Sequence, residues 1–232
     1  KVTFDYSRTA QFISKEEVEN SKVLAEAAKK VLVEKTGAGN DFLGWIDLPV
    51  DYDKEEFARI KKAAAKIKSD SEVLIVIGIG GSYLGGKVLF DVQCGEFWNL
   101  KSTEERKGFP KAFFAGNNVD SHKMTGLINF LKADSHTKPN YTVMAVVISK
   151  SGSTIEPMSN YMVLKQAMND AGIALETVAV TDPHDGGEKE TLLHGLAKKS
   201  GWPIFYVPDG VGGRFSVFSE VGLIVGALTG FD

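Results

Sequence analysis

The chain has 232 residues, 43% of them hydrophobic and 25% charged, which suits one large or two small globular domains. Its net charge of −3 provides no basic field for nucleic acid or a membrane surface, so neither is expected as a partner. A single cysteine, Cys94, excludes an internal disulfide framework and a Cys-rich zinc site. No apolar run approaches the ~20 residues of a membrane span and no signal-peptide pattern opens the sequence, so the expected compartment is the reducing cytoplasm.

Residues 1–13 mix aromatic and polar types without a clear period. Ser14 and Glu17 have the spacing of a capping box, and Val18, Ala25, Ala28 and Leu32 recur at helical intervals. Thr36-Gly37-Ala38-Gly39-Asn40 stops that helix, and the apolar stretch Phe42–Pro49 connects onward. Asp53 is placed to cap a second helix whose apolar face is Phe57, Ile60, Ala64 and Ile67, with its charges on solvated faces. These elements form an expected N-terminal helical extension over residues 1–70.

At Glu72 the pattern changes. Val73–Ile77 is a short, β-branched apolar run, as expected of a strand buried on both faces. Similar runs stand at 112–115, 141–148, 177–181 and 204–207, with helical segments near 82–93, 120–132, 155–171, 188–199 and 217–228 between and after them. The segment Gly95–Gly108 reads as a surface excursion. Regular alternation predicts an α/β domain over 71–232, a five-stranded parallel sheet sandwiched by helices. Ligands then belong beyond the carboxyl ends of the strands.

Three loops fall at that edge. The first, Gly78–Lys87, is a glycine-rich turn between strand and helix. Tyr83 stands where a dinucleotide fingerprint needs Gly, and Val88 replaces the hydroxyl of a Walker A loop. What survives is a turn whose amides, with Gly81 and Ser82, face the ligand side, or a tight turn needed only for packing. The second is Val147–Pro157. Ser149, Ser151, Ser153 and Thr154, with Lys150 and Gly152, have the composition of a loop that holds an anion at a helix N-terminus. A hydroxyl-rich helix cap has the same composition. Local sequence leaves the direction of Lys150 open, and Glu156 reads as a favourable charge in the first turn rather than a base. The third is Asp209–Ser216, where Gly213 and Arg214 offer either a guanidinium for developing anionic oxygen or a structural tie to a loop carbonyl. The four histidines show no ligand-like spacing and read as solvated or capping residues, with His184 the one near the ligand edge. No metal cluster and no Ser/His/Asp pattern is legible.

Together, Ile77–Gly85, Ile148–Pro157 and Gly212–Val217 followed by Val221-Gly222-Leu223 resemble the phosphoglucose isomerase family in its bacterial form, as do Phe4–Ser7 and Gly44–Pro49. The resemblance covers essentially the whole chain and implies the sugar isomerase (SIS-type) fold. It implies that Ser149, Ser151 and Thr154 hold a sugar 6-phosphate, with Lys150 and Ser153 nearby. By the same resemblance Gly81 and Ser82 line the sugar, and Gly213 and Arg214 face its reacting end. The implied reaction interconverts glucose 6-phosphate and fructose 6-phosphate through an enediol, with no metal or organic cofactor, in a homodimer. Family members continue for roughly another such domain, where their proton-shuttling glutamate, ring-opening histidine and a late lysine lie. Nothing in this chain matches those residues, so the expected reading is the N-terminal portion of such an enzyme, inactive alone. Ser153 and Phe215 stand where Thr and Tyr are usual. The competing expectation is a sugar-phosphate-binding module without catalysis.

Overall fold

The computed structural model describes residues 3–184, 186–187 and 190–231. Lys1–Leu43 and Gly44–Asp232 form two compact units. In the smaller unit, helix α1 (Lys15–Val33) starts on the expected capping box: Glu17 N–H donates to Ser14 Oγ, and Ser14 N–H to Glu17 Oε2.

The larger unit opens with two short turns and α2 (Lys54–Asp70). Asp53 caps this helix by accepting from the amides of Glu55 and Glu56. Then β1 (Val73–Ile77), α3 (Gly81–Cys94), β2 (Lys111–Ala115), α4 (Ser121–Ser135), β3 (Thr142–Ile148), α5 (Ile155–Asp170), β4 (Ala174–Thr181), α6 (Leu192–Ser200), β5 (Ile204–Tyr206) and α7 (Glu220–Thr229) follow. The helix expected near 188–199 is α6; its expected first residues, 188 and 189, lie outside the described residues. The expected last helix divides, because Gly213–Phe218 is a separate 3-10 helix ahead of α7. Ser219 separates them in an extended conformation.

All strands pair in parallel in the order β2-β1-β3-β4-β5. The expected fold class is therefore the observed one. Ile77 lies level with Ala115 and with Val147, so the ends of the first three strands share one edge. Strand alternation sends Leu74, Val76, Met144 and Val146 to one face, against Ile60 and Ile67 of α2, Phe90 of α3 and Ile224 of α7. Val73, Ile75, Val143 and Val147 go to the other face, against Leu131 of α4, Leu164 of α5 and Leu193 of α6. Helix α2, inside the expected 1–70 extension, thus contributes to the core of the larger unit.

Three residues depart from the sequence reading. Glu56 was expected on a solvated face but is 9% exposed, because α7 packs over that side of α2. His194 was expected to be solvated or capping but is 1% exposed, its ring 5.7 Å from that of Tyr206. Arg106, in the expected surface excursion, is buried and donates to the carbonyls of Lys101 and Phe109, which ties that loop down. Cys94 is buried, and burial pushes its thiol up to about 11. Among the described residues no helix is long and apolar enough to cross a membrane.

Candidate functional site

From β1 the chain steps outward to β2, then crosses back to β3 on the other side of β1. That reversal opens a crevice beyond the carboxyl ends of β1 and β3, where open parallel sheets take their ligands. The glycine-rich loop and the hydroxyl-rich loop are its two walls.

In the hydroxyl-rich loop, Thr154 is the N-cap of α5, yet its side chain makes no capping hydrogen bond. Part of the reason is in the sequence: a cap hydroxyl accepts from the amide two or three residues on, and Pro157 at the third position removes one of those two amides. The Thr154 hydroxyl instead faces Ser151 Oγ at 3.0 Å and Ser149 Oγ at 3.3 Å. Ser149 is 3% exposed and also accepts from the Gly152 amide at 3.1 Å, whereas Ser151 and Ser153 are exposed. Three hydroxyls therefore converge at the positive end of a 16-residue helix. Gly152 holds the turn at φ +64°, and a side chain there would meet Thr191 at 2.4 Å. Behind it, the Leu193 amide donates to Gly152 O, and the Thr191 and Thr181 hydroxyls lie 3.1 Å apart. Asn160 Nδ2 lies 2.7 Å from both Asn118 O and Glu156 O, joining the β2 loop to α5.

The third loop starts at β5, two strands away from β3, but ends against the first. A Cβ on Gly81 would lie 1.8 Å from Gly213 O, so only glycine allows this approach. Gly81, half-buried Ser82 and Gly213 are thereby brought together. The Gly44 amide donates to Gly210 O at 2.9 Å, and the Trp45 and Phe215 rings stack with centroids 4.9 Å apart. Arg214 is exposed, with its guanidinium 5.8 Å from the Phe215 ring centroid and no hydrogen bond or ion pair to the described residues. The structural tie that sequence left open for Arg214 is made by another cation. Lys150 Nζ donates to Asp209 O and to Val211 O, each at 2.9 Å, which gives the direction of its side chain.

A grouping missed from sequence lies beside this tie. Asp182, His184 and Asp209 bring ligand-type atoms within 4.8 Å of one another, although spacing alone showed no metal cluster. Asp209 joins only because β4 and β5 are neighbours. His184 Nδ1 is hydrogen-bonded by Asp182, and its Nε2 lies 3.9 Å from Asp209 Oδ2, so the group is a carboxylate–imidazole chain between two loops. The His184 amide also donates to Asp182, and these bonds hold that carboxyl below the usual range against the opposing effect of burial.

A 2-1-3-4-5 parallel sheet with a hydroxyl-lined helix terminus at its switch point defines a doubly wound α/β protein. The chain belongs to the phosphoglucose isomerase family, whose model matches residues 55–232. It is 48% identical over 235 residues to the glucose-6-phosphate isomerase of Enterococcus faecalis and 46% identical to that of Clostridium novyi, in each case across 100% of this chain and 49% of the relative. The chain therefore spans about half the length of the curated relatives it matches. Among solved structures, a hypothetical protein of Thermus thermophilus matches 94% of this chain and 46% of its own, with a TM-score of 0.69 and 28% identity. A glucose-6-phosphate isomerase of Chlamydia trachomatis matches 75% of this chain and 29% of its own, with a TM-score of 0.56 and 28% identity.

Proposed function

We propose that this chain carries the phosphate-binding half of an aldose–ketose isomerase that interconverts glucose 6-phosphate and fructose 6-phosphate through an enediol. The observation that supports this most is the Ser149–Ser151–Thr154 hydroxyl cluster, in which Thr154, at the cap position, makes no capping bond. A phosphate there accepts from hydroxyls and from the first amides of α5, with the helix dipole adding to both. Held this way, the phosphate anchors a sugar that runs along Gly81 and Ser82 towards Gly213 and Arg214. Lys150 and Ser153 flank the phosphate through their backbone. Binding energy from the phosphate, remote from the reacting carbons, serves to orient them. An exposed guanidinium with no hydrogen-bonding partner in the described protein is placed to stabilise negative charge on oxygen.

On this reading residues 71–232 are the sugar-phosphate-binding domain, and the whole protein is a cytoplasmic homodimer that needs no metal or organic cofactor. The chain lacks an identifiable proton-shuttling carboxylate, so a coupled isomerase assay on it is expected to give no turnover. Turnover at the rate of a complete enzyme refutes that. Calorimetric titration with fructose 6-phosphate tests the site itself. Binding is expected to weaken about tenfold or more in Ser149→Ala or Thr154→Ala, the scale of one hydrogen bond to a charged group. Equal affinity in both variants returns the loop to a plain helix cap.

A further inference from the structure

The segment from Pro208 to Gly213 runs from β5 to α3 outside the five-stranded sheet, so its carbonyls need donors from elsewhere. Pro208 O accepts from the Val211 amide, Gly210 O from Gly44, Gly212 O from Phe215, and Gly213 O from Ser216 Oγ. The two that remain, Asp209 O and Val211 O, accept from Lys150 Nζ at 2.9 Å each. Lys150 lies between Ser149 and Ser151 in the hydroxyl loop. One side chain thus joins the loop at the proposed phosphate end to the loop that presents Arg214.

We infer that Lys150 is a positioning residue: its ammonium holds the Asp209–Val211 backbone, and so couples occupancy of the hydroxyl loop to the placement of Arg214. The anion that drives this coupling rests on the sugar-phosphate reading above; the tether itself does not. A charge-assisted bond to a carbonyl is among the stronger hydrogen bonds, and two of them offset the rotamer freedom that the lysine stem loses in making them. Ordering of the Ser149–Thr154 backbone by an anion fixes that root. Arg214 lies three residues beyond the second tethered carbonyl, in the 3-10 helix that Gly213 opens.

Hydrogen exchange read by mass spectrometry on the 232-residue chain tests this, with Lys150→Met and inorganic phosphate as the probe. Without ligand, amides 209–215 are expected to exchange at least about tenfold faster in Lys150→Met, with β1 unchanged. In the unsubstituted chain phosphate is expected to slow exchange at both 149–156 and 209–215; in Lys150→Met it slows only 149–156. Unchanged exchange at 209–215 in the ligand-free variant overturns the tether. Protection of 209–215 by phosphate in Lys150→Met overturns the coupling. Phosphate that protects neither segment of the unsubstituted chain overturns the coupling together with the anion reading, and the ligand-free comparison still decides the tether. Lys150→Arg guards against a folding defect: its guanidinium also reaches two carbonyls, so protection of 209–215 is expected within about threefold of the original. Loss of that protection in Lys150→Arg, with β1 still protected, counts against the tether.

Discussion

Replacing Glu220 by Gln is expected to stabilise the larger unit at alkaline pH and leave it nearly unchanged at acid pH. Glu220 opens α7, is 8% exposed, and has one carboxylate oxygen, Oε2, buried without a hydrogen-bond partner. Burial first, and then the negative charges of Glu56 and Asp53, push its carboxyl up from 4.5 to about 7. Glu56 is itself buried with an unpartnered Oε1, although Arg59 pairs with its other oxygen. A carboxyl whose pKa is raised by folding binds its proton more tightly in the folded chain. The stability it contributes is full below 4.5, declines as pH rises from 4.5 to 7, and is gone above that. The span corresponds to about 3 kcal/mol at 1.36 kcal/mol per pH unit. Glutamine keeps the shape without the charge. At pH 8.5 Glu220→Gln is therefore expected to gain about 3 kcal/mol, less the ~0.5 kcal/mol that a carboxylate gains at a helix N-terminus. For a unit of this size that is roughly 5–10 °C in Tm. Near pH 4.5 the gain shrinks to about zero. Trp45, Trp98 and Trp202 all lie in this unit, so thermal melts followed by tryptophan fluorescence at the two pH values report it. An equal shift at both pH values, or a variant less stable at pH 8.5, refutes the reasoning.

Gly81→Ala puts a Cβ 1.8 Å from the Gly213 carbonyl, backbone against backbone, so the third loop must withdraw. Fructose 6-phosphate binding is expected to weaken severalfold and stability to fall by about 1–3 kcal/mol, read by calorimetry and urea titration. An unchanged midpoint with unchanged binding contradicts the close approach. Gly152→Ala meets both a left-handed φ of +64° and Thr191 at 2.4 Å, and is expected to cost about 2–4 kcal/mol. Urea titration reads the loss; an unchanged midpoint contradicts the close contact with Thr191 Cβ and Oγ1. Pro157→Ala restores an amide at the third position of α5. The Thr154 hydroxyl is then expected to turn back as a cap, raising Tm slightly while weakening phosphate binding. Tighter binding in Pro157→Ala argues against the account of the cluster.

Much of this molecule was legible in its residues. β-branched runs separated by amphipathic segments determine a parallel α/β sheet, because strands buried on both faces must be apolar throughout and parallel strands need crossovers. Capping residues marked helix starts at Ser14 and Asp53 because the cap is a local hydrogen bond between near neighbours. The ligand edge followed from direction: every strand enters the sheet the same way, so the loops after β1, β3 and β5 share one side.

What sequence left open were contacts between residues far apart in the chain. Glu56 reads as a solvated charge because nothing within α2 reveals that α7 will cover it. Asp182, His184 and Asp209 have no ligand spacing and meet only because β4 pairs with β5. Arg214 and Lys150 were both ambiguous for the same reason. Local sequence places a cation beside a glycine-rich turn, but which cation binds the loop carbonyls depends on how that loop returns across the sheet. The residue types therefore determined the hydroxyl-lined loop, whose hydrogen bonds lie within one short run of consecutive residues, Ser149–Thr154. Only the tertiary structure decided that Lys150 ties it to the third loop while Arg214 stays exposed, because that choice is made by packing of the chain after β5 against Gly81 and Gly44.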